Sequence, residues 1–446
     1  MLSTSVIYLP IGRKTFDLTA AEVVWKETSD WLQSQCETLY EPEQIMTSVE
    51  ELEQFLQSLE GKQIDSIVYQ SVTFADGEFV VKALDYFKVP FIVWSVREPS
   101  VGGRLRLNSL TGGNSTSNVL MHYRHPFSFV FGNPSELEVQ QKLLRQFRVN
   151  RVIDKLGQLS IGVIGDHPPG FFFSEANEQL LKNQLGVTIH KMDLQQAFRE
   201  CVKLDESRYL SAVERAEQQV VGLSRSDEAV KKFAQFYTYV KDYINENQIK
   251  ALAVRCWPDF FNELGAAACS TLSQFTEGGI VSSCESDIHG SISMFILYEL
   301  SNGNAPYLGD LVHINEERNS AVFWHCGAAA YSLAHPATGA QAGVHPNRKM
   351  GFTMDFGLKP GGVTIFRVSN TPDGYRLLVM KGTALDVPQA FSGTSVEVEL
   401  STDVTSTLNS LMQQGFEPHY AIVYDDVSDA LMELGRQLGI ETIVYV

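Results

Sequence analysis

VSSCESDIHGSISMFILYELSNGNAPYLGDLVHINEERNSAVFWHCG, residues 281–327, is where the chain changes texture. Before it, short continuous apolar runs alternate with helical patterns; after it, alternating and β-branched runs are divided by tight turns. The stretch opens with Glu285 and Asp287 and continues into a helix-like run at 289–300, with Ile292, Phe295 and Ile296 on one face. It then supplies Asp310 and closes with His325 beside a Cys-Gly pair. Carboxylates with an imidazole suit divalent cations such as Mn²⁺, Mg²⁺, Co²⁺ or Fe²⁺, whereas a structural zinc would draw on cysteine. Taken alone, the same acids also serve as helix caps and solvated turn residues.

Working upstream, residues 5–9 read as a strand ending at Pro10, and Thr19 can cap a helix through Trp25 and Leu32. Residues 66–69 and 90–94 read as further buried strands, with a helix at 78–87 between them, which is the pattern of a parallel sheet. No G-x-G-x-x-G follows these strands, so a dinucleotide site is not expected. A charged helix near 149–156 leads into a second α/β set, with strands at 159–164, 187–190 and 251–254 and long helices over 207–247 broken at Gly222. Downstream, 363–369, 377–381 and 395–400 suggest an antiparallel meander or small barrel, followed by a helix at 427–438 and a strand at 442–446. The expected fold is α/β: two Rossmann-like parallel-sheet domains, 1–153 and 154–303, then a mainly antiparallel, barrel-like β domain, 304–446.

The 446 residues carry a formal charge of −18, so neither nucleic acid nor an anionic membrane is an expected partner. Six cysteines without C-x-x-C spacing read as background usage in a reducing cytoplasm. No signal peptide is expected at the amino terminus, and no run reaches the ~18 apolar residues of a membrane span.

One polar stretch stands out in this acidic chain. SVREPSVGGRLRLNSLTGGNSTSN, residues 95–118, follows a parallel strand, where ligands bind in open α/β sheets, or else is a mobile surface loop. Arg97, Arg104 and Arg106 would suit an oxyanion, and Gly112 and Gly113 would let backbone N–H groups approach a ligand. With Arg13, Asn114 and Trp257 they form the expected substrate-binding set.

The order CESDIHG (284–290), YLGDLVHIN (307–315) and PHYAIVYDDVSDALMELGRQLGIETIVYV (418–446) resembles the carboxy-terminal half of the L-fucose isomerase and L-arabinose isomerase superfamily. The resemblance spans roughly 155–446 and is fainter in the first third. It implies a catalytic Mn²⁺, or Co²⁺ or Mg²⁺, held by Glu285, Asp310 and His419, with His325 of WHCG as a further ligand in the arabinose manner or a donor to substrate. It implies aldose–ketose isomerisation through a cis-enediol, with Glu285 and Asp310 moving protons. Asp287, His289 and His313 would support the site from outside. It further implies a homo-oligomer, trimer or hexamer, in which the 95–118 loop caps a neighbour's site. The chain is shorter than a typical fucose isomerase and mixes features of both branches, so the sugar does not carry over. A 6-deoxyhexose, a pentose or, given the arginines, a hexose charged at carbon six such as sulfoquinovose all fit. A sugar-binding protein without turnover and a metal-dependent hydrolase or lyase stay open, although neither H-E-x-x-H nor G-x-S-x-G is present.

Overall fold

The computed structural model describes residues 2–446, which form two compact units divided between Lys155 and Leu156. In the first, strands β1 (Leu2–Ile11), β2 (Cys36–Tyr40), β3 (Ser66–Ser71), β4 (Phe91–Ser95) and β5 (Phe127–Phe131) make a parallel sheet in the order β2-β1-β3-β4-β5. Every residue of β3 and β4 is buried, which is why these strands read as unbroken apolar runs. The first helix, Leu18–Gln35, is capped by Asp17, whose carboxylate accepts the Ala20 N–H; Thr19 lies inside the helix and is not the cap. The expected loop is only half a loop, because Ser109–His122 is helical. Gly112 packs on Ser71, and a Cβ on Gly113 would collide with Ser95 Oγ. These glycines therefore let helix and sheet approach, a packing demand that a glycine-rich reading mistakes for ligand access.

The second unit begins with β6 (Ser160–Ile164), β7 (Thr188–Met192), the short β8 (Val220–Val221), β9 (Ala251–Val254) and β10 (Val281–Cys284). Strands β10-β9-β6-β7 form a parallel sheet. There follow β11 (Tyr307–Asn315), β12 (Ser320–His325), β13 (Ala340–Gly343), β14 (Thr353–Met354), β15 (Phe356–Gly357), β16 (Gly361–Thr371), β17 (Gly374–Ala384), β18 (Thr394–Leu400), β19 (His419–Val423) and β20 (Glu441–Tyr445). In the ring β18-β12-β11-β19-β16-β17, each strand is antiparallel to the next, and β17 pairs back with β18 to close a barrel. Strands β15 and β20 add in parallel at its seam, and β8, β13 and β14 form a small separate sheet.

The Ile288–Leu300 helix packs against β9 and β10 on one side and against β16 and β19 on the other. It is consequently buried around nearly its whole circumference, and the expected single apolar face is too narrow a description. One core runs from Ile164 and Leu252 of the parallel sheet to Ile365 and Ile422 of the barrel. No helix among the described residues is long and apolar enough to cross a membrane.

Candidate functional site

The site starts from a tight turn. After β10, Glu285 and Ser286 adopt φ of 60° and 52°, a left-handed conformation that costs a non-glycine residue roughly 1–2 kcal/mol. Hydrogen bonds from Ser286 N–H to Val254 and from Asp287 N–H to Cys284 fix the turn. Asp287 then caps the buried helix by accepting the Gly290 N–H at 2.9 Å. Strain followed by a cap presents Glu285 at the carboxyl end of a parallel strand, where such sheets place their chemistry.

Barrel register supplies the next two groups. Asp310 on β11 pairs directly with His419 on β19, and residues opposite each other in an antiparallel pair project to the same face. Asp310 also pairs with Trp324 on β12, one residue before His325. One donor atom each from Asp310, His325 and His419 lie within 4.8 Å of one another.

His419 decides what the arrangement can hold. Its Nδ1 is 2.9 Å from Asp287 Oδ2, and both residues are fully buried. A carboxylate accepts only, so Nδ1 carries a proton and Nε2 is the atom turned toward Glu285 and Asp310. Nε2 lies 3.2 Å from Glu285 Oε2 and 3.4 Å from Asp310 Oδ1 without a hydrogen-bond partner, and His325 Nε2 is likewise unpartnered. Buried polar atoms without partners are costly. Carboxylates and imidazoles grouped this closely match a divalent cation, which would replace any proton on the Nε2 atoms, with Asp287 fixing the ligand histidine in the usual carboxylate–histidine manner. The residues therefore fit the metal that the resemblance implies.

The field at these groups is negative: although burial opposes it, Cys326 and Asp310 push the His325 pKa up to about 9. Burial opposes a proton on His419, but Asp287, Glu285 and Asp310 outweigh it and raise its pKa well above the ordinary value; the pocket attracts positive charge. Burial raises the Asp310 pKa, while His419 and His325 pull the other way. Burial alone would also raise Asp287, yet Arg367 and His419 hold it well below the usual carboxylate range. Arg367 grips Asp287 with two hydrogen bonds of 2.5 and 3.1 Å, and its Nε lies 3.7 Å from Glu417. Sequence reasoning missed Arg367; an arginine inside the apolar run VTIFRVS was the signal available.

The supporting residues divide. Asp287 contacts the candidate ligand His419, His289 is buried beside Tyr375 and hydrogen-bonds no described side chain, and His313 is exposed on β11. Phe173 sets its ring edge-on to His419 at 5.0 Å and continues through Phe171 to Trp257, over which Arg348 stacks at 5.6 Å. A cleft of ≈ 430 Å³ borders the turn at Ser286 and Ile288, with Asp166, His167 and Lys191 among its walls. Among the described residues, none of Glu285, Asp310, His325 or His419 lines it, so it neighbours the carboxylate centre and is not its seat.

The remaining substrate candidates lie in the first unit. Arg13 pairs with Asp76, Arg97 makes a two-pronged pair with Glu136 at 2.8 Å, and Arg106 bonds Asp17 at 2.9 Å. Arg104 is exposed; its one described hydrogen bond, of 3.3 Å, goes to the Thr15 carbonyl. Asn114 is exposed on the Ser109–His122 helix.

The six cysteines are all free and buried. Four of them, Cys256, Cys269, Cys284 and Cys326, gather around His325 and one another, which the background reading did not foresee.

Comparison with known proteins gives the family. The fucose/sulfoquinovose isomerase N-terminal domain matches residues 8–157, and the L-fucose isomerase C-terminal domain matches residues 325–445. His325 and His419 fall within the second match; Glu285 and Asp310 lie between the two. The chain is 69% identical over 446 residues, all of both proteins, to a sulfoquinovose isomerase of Priestia megaterium. It is 57% identical over 439 residues to one of Alkalicoccus urumqiensis, covering 98% of this chain and 99% of the relative. A Clostridium sulfoquinovose isomerase is 38% identical over 450 residues, all of both chains.

Proposed function

From the premise that this chain belongs to the fucose/sulfoquinovose isomerase family and is an aldose–ketose isomerase, we propose that it is metal-dependent and converts sulfoquinovose to sulfofructose through a cis-enediol. The observation that carries the metal reading is His419, held by Asp287 through Nδ1 with Nε2 unpartnered between Glu285 and Asp310. Glu285, Asp310, His419 and His325 would hold the ion, Mn²⁺ or else Co²⁺ or Mg²⁺. When bound, it supplies Lewis acidity that polarises the sugar carbonyl and acidifies the adjacent carbon-bound hydrogen.

The chain's own residues do the rest. One of the Glu285 and Asp310 carboxylates removes the proton from the carbon next to the carbonyl and returns it to the former carbonyl carbon; the other handles the hydroxyl proton. Asp287 keeps His419 in one tautomer, and Arg367 keeps Asp287 ionised. Phe173, Phe171 and Trp257 offer apolar ring surface beside His419, suited to the C–H face of a sugar, and restrict water there.

A sulfonate at carbon six needs a cationic partner. Arg13, Arg97 and Arg106 are engaged by carboxylates, which leaves Arg104 as the arginine of that set best able to take it. The loop that carries Arg104 also exposes Val101 and Leu105, as expected if it covers a neighbour's site in a trimer or hexamer. A fully active monomer by light scattering would contradict that arrangement. A cytoplasmic location completes the reading, in keeping with free thiols throughout.

The test of substrate is a panel of sulfoquinovose, glucose and fucose with Mn²⁺, repeated with Arg104→Ala. Sulfoquinovose should turn over best, and the variant should lose about 1.5–3 kcal/mol of apparent affinity for it, with a far smaller change for neutral sugars. Equal effects on charged and neutral sugars would remove Arg104 from the reading, and no turnover of sulfoquinovose would remove the substrate.

A further inference from the structure

The isomerase chemistry leaves four buried thiols unused. Cys256 follows β9, Cys269 opens the Cys269–Glu277 helix, Cys284 ends β10 and Cys326 follows β12. None is more than 6% exposed. Cys269 Sγ and Cys326 Sγ are 3.3 Å apart, and Cys326 Sγ is 3.2 Å from His325 Nδ1. The donor atoms of Cys284, His325 and Cys326 all lie within 4.8 Å of one another. The Cys284 thiol also interacts with that of Cys256.

These spacings are those of ligands around one small ion. Sulfur or nitrogen donors at ~2.3 Å from a shared tetrahedral centre stand ~3.8 Å from each other; Cys284, His325 and Cys326 are grouped at about that spacing, and Cys269 stands 3.3 Å from Cys326. The donor chemistry differs from that of the carboxylate centre: thiolate sulfur selects soft cations that carboxylates hold poorly.

We propose that Cys284, Cys326 and Cys269, with His325, form a second cation site for thiophilic d¹⁰ ions such as Zn²⁺, Cd²⁺ or Cu⁺. His325 belongs to both sites: Nδ1 lies toward the thiols and accepts the Cys326 N–H at 2.9 Å, a bond that a soft ion would displace, and Nε2 is unpartnered, so an ion drawing on this ring withdraws it from the carboxylate centre. The ion binds thiolates and a neutral imidazole, so the cysteines and His325 together release two or three protons to solvent per ion and no electrons move. Thiophilic ions are on this account inhibitors that act beside the hard-ion site without displacing its carboxylates.

The probe is Cd²⁺, titrated into the full-length protein in the presence of Mn²⁺ and a non-thiol reductant. The ultraviolet thiolate-to-cadmium charge-transfer band is the readout, because carboxylate and imidazole ligands give none. The band should saturate at one Cd²⁺ per chain, with at least two protons released into weakly buffered solution. It should persist in a Cys36→Ser, Cys201→Ser double variant and fall by at least half in Cys284→Ala and in Cys269→Ser, each checked for folding by circular dichroism. A missing band, a band unchanged in a folded Cys284→Ala or Cys269→Ser protein, or one that vanishes in the double variant would overturn the proposal. If neither single variant folds, the proton count on the native chain decides, and fewer than two protons per Cd²⁺ overturns it.

Discussion

Replacing Asp287 by Asn separates the three tasks this residue performs. The Asn side-chain oxygen can still accept the Gly290 N–H, so the cap of the Ile288–Leu300 helix should survive. The charge facing Arg367 is lost, and both groups are fully buried. Removing one partner of such a pair leaves the other uncompensated and costs about 3–5 kcal/mol of stability. The third task is the grip on His419 Nδ1, 2.9 Å away in the native chain. Loss of the carboxylate there should weaken divalent-ion binding by roughly 10–100-fold. Asp287→Ala should lose about 1 kcal/mol more than Asp287→Asn, since it also removes the cap. Chemical denaturation measures the first quantity and Mn²⁺ titration by electron paramagnetic resonance the second. Native Mn²⁺ affinity in a folded Asp287→Asn protein would refute the assignment of His419 as a ligand oriented by Asp287.

Two further predictions concern chemistry and pH. Glu285→Gln and Asp310→Asn keep side-chain shape and should each abolish exchange of the carbon-bound hydrogen with solvent while the circular dichroism spectrum is unchanged; near-native exchange in either would take that residue out of the proton-transfer pair. His289 is held at about 4 by burial, aided by Arg367, whereas in the unfolded chain it titrates near 6.5. A histidine with a depressed folded pKa contributes stability that is whole above the unfolded value and is lost as pH falls toward the folded one. Between roughly pH 6.5 and 4 it should therefore account for about 3 kcal/mol of lost stability, and His289→Gln should flatten the stability profile in that window. An unchanged slope would show that other groups dominate there.

Much of the fold was legible because parallel strands buried on both faces have to be written as unbroken apolar runs, as in Ser66–Ser71 and Phe91–Ser95. The texture change after residue 304 likewise marks the barrel. Glu285, Asp310 and His419 were named through motif resemblance; the register that brings Asp310 opposite His419 is not readable from a separation of more than a hundred residues. Arg367 and the thiol group were missed for the same reason, since Cys256, Cys269, Cys284 and Cys326 are spread along the chain and meet only through the packing of four separate elements. The 95–118 stretch misled because glycine and serine in a helix that packs tightly on a sheet have the same composition as a loop.

The most direct test of the central claim is turnover of sulfoquinovose by protein stripped with a chelator, verified metal-free and then reconstituted with Mn²⁺. The account predicts sulfofructose formation only after reconstitution, and in deuterated water some deuterium at the carbon next to the carbonyl, as an enediol requires. Full turnover by the verified metal-free protein would contradict it.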